Sequence, residues 1–186
     1  MSSIISDTAT IGSDSTLGHF CVIGAHVSIG SGCRIGHHVV IHDDTIVGDG
    51  CVIDDHAVLG KRPLHSRSMA IEPNRDLAPL SLADRVVVGT GAILFAGSSI
   101  GEDSLVADLA SVREQTQIGR KTIIGRGVAV ENKVVIGDRC KIEAGAFICA
   151  FTHIADDCFI APEVTLTNDN FMGRMEERKK HFAGAT

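Results

Sequence analysis

The chain has 186 residues, a formal net charge of −6 and 44% hydrophobic residues, but only 4% aromatics and neither Trp nor Tyr. The acidic balance lacks the basic footprint of a nucleic-acid binder, and no apolar run approaches the ~20 residues of a membrane-spanning helix. The opening "MSSIISDTAT" has neither the basic nor the apolar region of a secretory signal, so a cytoplasmic setting is expected and any core is built from Ile, Val, Leu and Ala.

Residues 1–64 read as a first set of repeat coils. Stepping by six from Ile5 gives Ile11, Leu17, Ile23, Ile29, Ile35, Ile41, Val47, Ile53 and Leu59, every one aliphatic. Counting the aliphatic residue as position 1, position 2 is Gly in seven of the ten hexads, and position 5 is small, as in Ala9, Cys21 and Thr45. A period of six matches neither a 3.6-residue helix nor a long flat strand. It matches short parallel strands joined by tight turns and wound as a solenoid, with large residues filling the interior and glycine relieving turns that need φ > 0. Five of the six cysteines (Cys21, Cys33, Cys51, Cys140 and Cys158) fall at position 5 and read as small interior residues.

Residues 65–81, "HSRSMAIEPNRDLAPLS", carry no hexad pattern and read as a loop leaving the solenoid. Loops of this length are functional or disordered more often than not, and a tolerated insertion is the alternative. Residues 82–170 read as a second set of coils: stepping by six from Leu82 to Leu166 meets fifteen aliphatic residues in succession. Residues 171–186 leave the repeat. Glu176 and Glu177 stand four before Lys180 and His181, a spacing compatible with a short helix.

The stretches "IGSDSTLGHFCVIGAHVSIGSGCRIG" and "IGRKTIIGRGVAVENKVVIGDRCKIE" resemble the hexapeptide-repeat acyltransferases. That resemblance implies an all-β left-handed parallel β-helix with three hexads per coil, working as a homotrimer with substrates in grooves between subunits. It also implies that an excursion such as 65–81 covers a neighbouring subunit's site.

Three hexads make an eighteen-residue coil, so residues eighteen apart stack. In the second set, one column of corner residues reads Phe95, Arg113, Glu131, Cys149, Thr167, beside Ala96, Glu114, Asn132, Ala150, Asn168 and Gly97, Gln115, Lys133, Phe151, Asp169. The matching position-2 columns elsewhere are small, apart from Glu143. One corner therefore collects Arg113, Glu114, Asn132, Lys133, Asn168 and Asp169. It reads as a binding face, with an ion-pair ladder joining Arg113 to Glu131, or a subunit interface, as the alternatives.

The segment "GDRCKIEAGAFICAFTHIADDCFIAPEVTLTNDNFMGR" is similar to a narrower group, the nucleotide-sugar N-acyltransferases that serve surface-polysaccharide synthesis. Lys141-Ile142-Glu143, Ile160-Ala161-Pro162 and Thr167-Asn168-Asp169 carry the match; Ala144 stands where many members place a sugar-contacting Asn. The group's reaction joins a sugar amine to an acyl-CoA thioester, with acetyl-CoA the expected co-substrate. Such chemistry needs a proton acceptor, for which His153, Glu143 and Asp169 are candidates, and donors for the oxyanion. Arg113, Glu114, Asn132, Lys133, Asn168, Asn170 and Arg174 are the candidate substrate-binding residues. His19 and His37 stack above Asp55, and His38 and His56 below Phe20, which reads as polar turns. His37 and His42 are spaced as in the γ-class carbonic anhydrases of this fold, but Met1 stands where their third histidine belongs, so no metal is expected. The family continues the β-helix for further coils after the Asn168 loop, so residues 171–186 are expected either to cap the solenoid or to mark a shortened form. A non-catalytic binding or assembly module is the alternative to an enzyme.

Overall fold

A computed structural model describes residues 2–64, 76–168 and 184–186. Among them, twenty-four short strands and no helix form three parallel sheets of eight strands each. Successive strands visit the sheets in rotation. Ile4–Ile5 opens sheet 1, Thr10–Ile11 sheet 2 and Thr16–Leu17 sheet 3, and Val22–Ile23 returns to sheet 1. The result is the triangular, left-handed β-helix expected from the hexads.

The eighteen-residue register holds strand by strand: Ile5 pairs with Ile23, Ile29 with Val47, and Val106 with Ile124. It breaks only across the excursion, where Leu59 pairs with Leu94 and Val47 with Leu82, thirty-five residues on. In a typical strand the first residue faces out and the second is buried. Ile23, Ile41, Leu59, Leu94 and Ile148 thus stack through the centre in direct contact with the aliphatic residues of the other two sheets. Aliphatic burial of this kind contributes about 25 cal/mol per Å² of apolar surface removed from water.

Two details of the repeat differ from the sequence expectation. Apart from Gly60, the position-2 glycines do not supply the positive φ. That conformation falls two residues later and is taken mostly by other residues, among them Asp14, Phe20, His38, Gln115 and Lys133. The position-2 glycines are required instead because neighbouring coils touch there: a Cβ on Gly12 would lie 2.5 Å from the carbonyl carbon of Gly30. Position 5, in turn, is selected for more than size. The Ser104 hydroxyl donates to the Gly119 carbonyl at 2.8 Å and accepts from the Thr122 N–H at 3.0 Å. Cys33 and Cys140 donate their thiols to the carbonyls of Gly48 and Ala155. Ser, Thr and Cys interchange at this position because each can donate to a turn carbonyl of the next coil. Burial pushes the Cys51 thiol up to about 11 and raises that of Cys140, so these two are held as neutral thiols.

The stacked histidines are turn elements. His37 Nδ1 accepts the His19 N–H at 2.9 Å, the role that Asp43, Asp49, Asp55 and Asp108 play for the N–H groups eighteen residues before them. Phe20, His38 and His56 stack as near-parallel rings, with centroids 5.0 and 4.8 Å apart. Among the described residues no group of three or more His, Cys, Asp or Glu is arranged to hold a metal ion, and no helix is long and apolar enough to cross a membrane.

Candidate active site

Both departures from the repeat lie at the corner joining sheet 1 to sheet 2. The first leaves after Val58–Lys61 and rejoins sheet 2 at Ser81–Leu82. Its returning limb is tied down by Leu77, which is buried and faces Gly97 at this corner. The second departure follows Thr167 and Asn168. The chain is back beside sheet 2 by Ala185, whose carbonyl accepts the His153 N–H at 2.9 Å. In the preceding coil the equivalent bond runs from the Val135 N–H to the Thr152 carbonyl, so Ala185 occupies the rung that the eighteen-residue ruler assigns to Asn170. The helix considered for 171–186 falls almost wholly on residues 169–183, outside the described residues. From the coil of Lys61 to that of Asn168 is five rungs, about 24 Å at the strand spacing of a sheet.

Between the two departures the corner carries the residues singled out from the sequence. Arg113, Glu114, Asn132, Lys133 and Asn168 are brought together there. Their interactions show which of them remain available to a ligand. The Arg113 guanidinium makes a fork with Glu114, at 2.8 and 3.0 Å, lies 3.6 Å from Glu131 and sits 5.0 Å from the centre of the Phe95 ring. The Glu114 side chain is only 9% exposed. These contacts raise the Arg113 pKa above its ordinary value, the Glu114 hydrogen bond being the largest cause. Arg113 and Glu114 therefore hold one another and frame the corner. Lys133 lies over the exposed ring of Phe151, 5.4 Å from its centre, and has no carboxylate partner among the described residues. The Asn168 Nδ2 donates to the Ala150 carbonyl at 3.1 Å, which leaves its Oδ1 as an acceptor without a partner among the described residues.

The three candidate proton acceptors do not share one place. His153 is not in a turn: it is the outward residue of the sheet 2 strand His153–Ile154, directly after the corner. Glu143 follows Lys141–Ile142 at the corner joining sheet 3 to sheet 1, so within one chain it lies away from His153 and Asn168. Asp169 falls outside the described residues, as do Asn170 and Arg174. Two residues that the sequence reading did not place here join the corner. His42 follows Ile41 of sheet 1, and Lys61 pairs with Phe95. Carrying the ruler across the excursion with its thirty-five-residue offset would have put His42 and Gly60 in the Phe95 column; Lys61 comes opposite Phe95 only through the register shift between Leu59 and Lys61.

Comparison with known proteins agrees with this architecture. The family model "Bacterial transferase hexapeptide (six repeats)" matches residues 2–37, 26–61 and 133–168. Over 102 residues the chain is 31% identical to an acyl-[acyl-carrier-protein]–UDP-N-acetylglucosamine O-acyltransferase of Campylobacter concisus, covering 47% of this chain and 39% of that relative. The UDP-N-acetylglucosamine acyltransferase of Francisella novicida superposes with a TM-score of 0.81 at 21% identity, over 90% of this chain and 61% of that one. The corresponding Bacteroides fragilis structure gives 0.72 at 20% identity, over 89% and 69%. At those identities the two structures share the fold, and the chain spans well under two thirds of the length of the curated relative. The chain belongs to the bacterial hexapeptide-repeat transferase family, and the sequence relative it matches is an acyltransferase.

Proposed function

We propose that this protein transfers an acyl group to a nucleotide-linked sugar held along the sheet 1–sheet 2 corner. The observation that carries the reading is the placement of both excursions at the one corner that also gathers Arg113, Glu114, Asn132, Lys133 and Asn168. In an acyl transfer the acceptor loses a proton as it attacks the thioester carbonyl, and negative charge grows on the carbonyl oxygen. His153, beside the corner, is the residue proposed to take the proton. Asn132 and Asn168 offer amide groups to sugar hydroxyls, and the Arg113–Glu114 pair fixes the backbone that presents them. Acetyl-CoA transfer to a sugar amine, for surface-polysaccharide synthesis in the cytoplasm, is the specific form proposed.

The Campylobacter relative favours a second form, in which an acyl-carrier protein delivers the chain to a sugar hydroxyl. A mass-spectrometric assay pairing acetyl-CoA or acyl-carrier protein with UDP- and dTDP-linked amino sugars and with UDP-N-acetylglucosamine separates the two. Acetylated amino sugar supports the first form, and a new ester on UDP-N-acetylglucosamine supports the second. No product from any pair at saturating substrate would leave a binding or assembly module as the better reading.

We further propose a homotrimer. The outward faces of sheets 1 and 3 carry apolar residues, among them Val22, Ile93, Phe147, Val87 and Ile123. Sheet 2 presents mostly Thr, Ser, Gln and His. Packing copies through the two apolar faces removes exposed apolar surface from water and leaves the polar face to solvent.

A further inference from the structure

The first excursion leaves the β-helix through a built irregularity. Strand pairing shifts register between Leu59 and Lys61, and Gly60 sits at φ +73, where an added Cβ would collide with Thr45 Oγ1. Thr45 is fully buried, and its hydroxyl is committed to the His42 carbonyl at 2.8 Å. A bulge of this kind re-aims the residue that follows it, here Lys61. The Lys61 ammonium lies 5.4 Å from the centre of the Phe95 ring, the same ring that the Arg113 guanidinium approaches at 5.0 Å. Phe95 thus joins the polar corner to a cavity of about 310 Å³ lined by His42, Asp43, Lys61, Arg62 and Leu64.

The charges around this cavity are arranged unlike those elsewhere on the surface. At the sheet 2–sheet 3 corner a hollow of about 370 Å³ is lined by Arg85, Arg120 and Arg139. Those guanidinium groups are spent on Glu102 and Asp103, on Asp138, and on Asp138, Asp156 and Asp157. The single carboxylate on the His42 cavity is Asp43, and its Oδ1 accepts the Ala25 N–H at 2.8 Å. Lys61 has no carboxylate partner among the described residues. With the Lys61 ammonium lacking a carboxylate partner among the described residues and the His42 imidazole beside it, the cavity offers a charge-assisted hydrogen bond to an anion.

We propose that the cavity at the foot of the first excursion binds a phosphate group of a substrate, with Lys61, aimed by the Gly60 bulge, as the cation that holds it. Two sources carry that chemistry in the proposed reaction: the diphosphate of a nucleotide sugar and the diphosphate of coenzyme A. The choice between them rests on the acyltransferase reading; the phosphate site itself does not.

The test is calorimetric titration of the full chain at low salt with inorganic pyrophosphate, then with UDP and with coenzyme A in the presence of pyrophosphate. Saturable pyrophosphate binding is expected. Lys61→Met should weaken it by about tenfold or more, and Lys61→Arg should keep it within about threefold. Competition by UDP alone assigns the site to the nucleotide sugar, and competition by coenzyme A alone assigns it to the acyl donor. Absence of saturable pyrophosphate binding, or equal affinity in wild type and Lys61→Met at matched thermal midpoints, overturns the proposal. Pyrophosphate binding without acyl transfer would overturn the transferase reading and leave this one standing.

Discussion

Arg113→Ala is expected to lower the thermal midpoint by about 5–10 °C, corresponding to a loss of roughly 2–4 kcal/mol. The Glu114 side chain is 9% exposed, and its two oxygens take the Arg113 fork at 2.8 and 3.0 Å. Removing the guanidinium strands a nearly buried carboxylate, which costs far more than loss of an exposed ion pair. The Arg113 side chain is itself 31% exposed, so water relieves part of the penalty and the estimate falls below that for a fully buried pair. Glu114→Gln in the Arg113→Ala background should recover most of the loss, because the stranded group is then neutral. A midpoint within 2 °C of wild type for Arg113→Ala, measured by differential scanning calorimetry, would show that the fork does not hold the corner.

His153→Asn is expected to leave the midpoint nearly unchanged, because the side chain faces out from the sheet 2 strand His153–Ile154 and its backbone N–H bond to Ala185 survives the change. If the imidazole takes the acceptor's proton, kcat falls by about 10²–10⁴-fold with KM little altered. A loss under tenfold in steady-state turnover would remove His153 from that role. Glu143→Gln, at the sheet 3–sheet 1 corner, provides the comparison. An effect of Glu143→Gln larger than that of His153→Asn would mean that the reacting groups come from two copies of the chain.

The fold was legible because a period of six, held without a miss on both sides of one gap, admits few other structures. The site was legible in part. The eighteen-residue ruler brought Arg113, Glu114, Asn132, Lys133 and Asn168 to one corner, where the structure has them. What it could not show was how their charges are used. Residues adjacent in a strand point to opposite faces, but in the turn Arg113 and Glu114 fold onto each other, so two apparent ligand-binding groups are occupied by one another. The ruler also stopped at the excursion, which hid His42 from the Phe95 column, and the register shift that sets Lys61 opposite Phe95 leaves no mark in the period. Glycine at position 2 was read as a turn requirement because sequence carries φ preferences but not the distance between coils. Glu143 was grouped with His153 by family likeness, although its column lies at another corner.

The central claim is that a nucleotide-linked sugar lies along the sheet 1–sheet 2 corner. Amide hydrogen exchange with and without saturating UDP-N-acetylglucosamine tests it most directly. Slowed exchange across residues 95–97, 113–115, 131–133 and 149–153 is the predicted result. Protection confined to the charged sheet 2–sheet 3 corner, at 84–85, 102–103, 120–121 and 138–139, would contradict it.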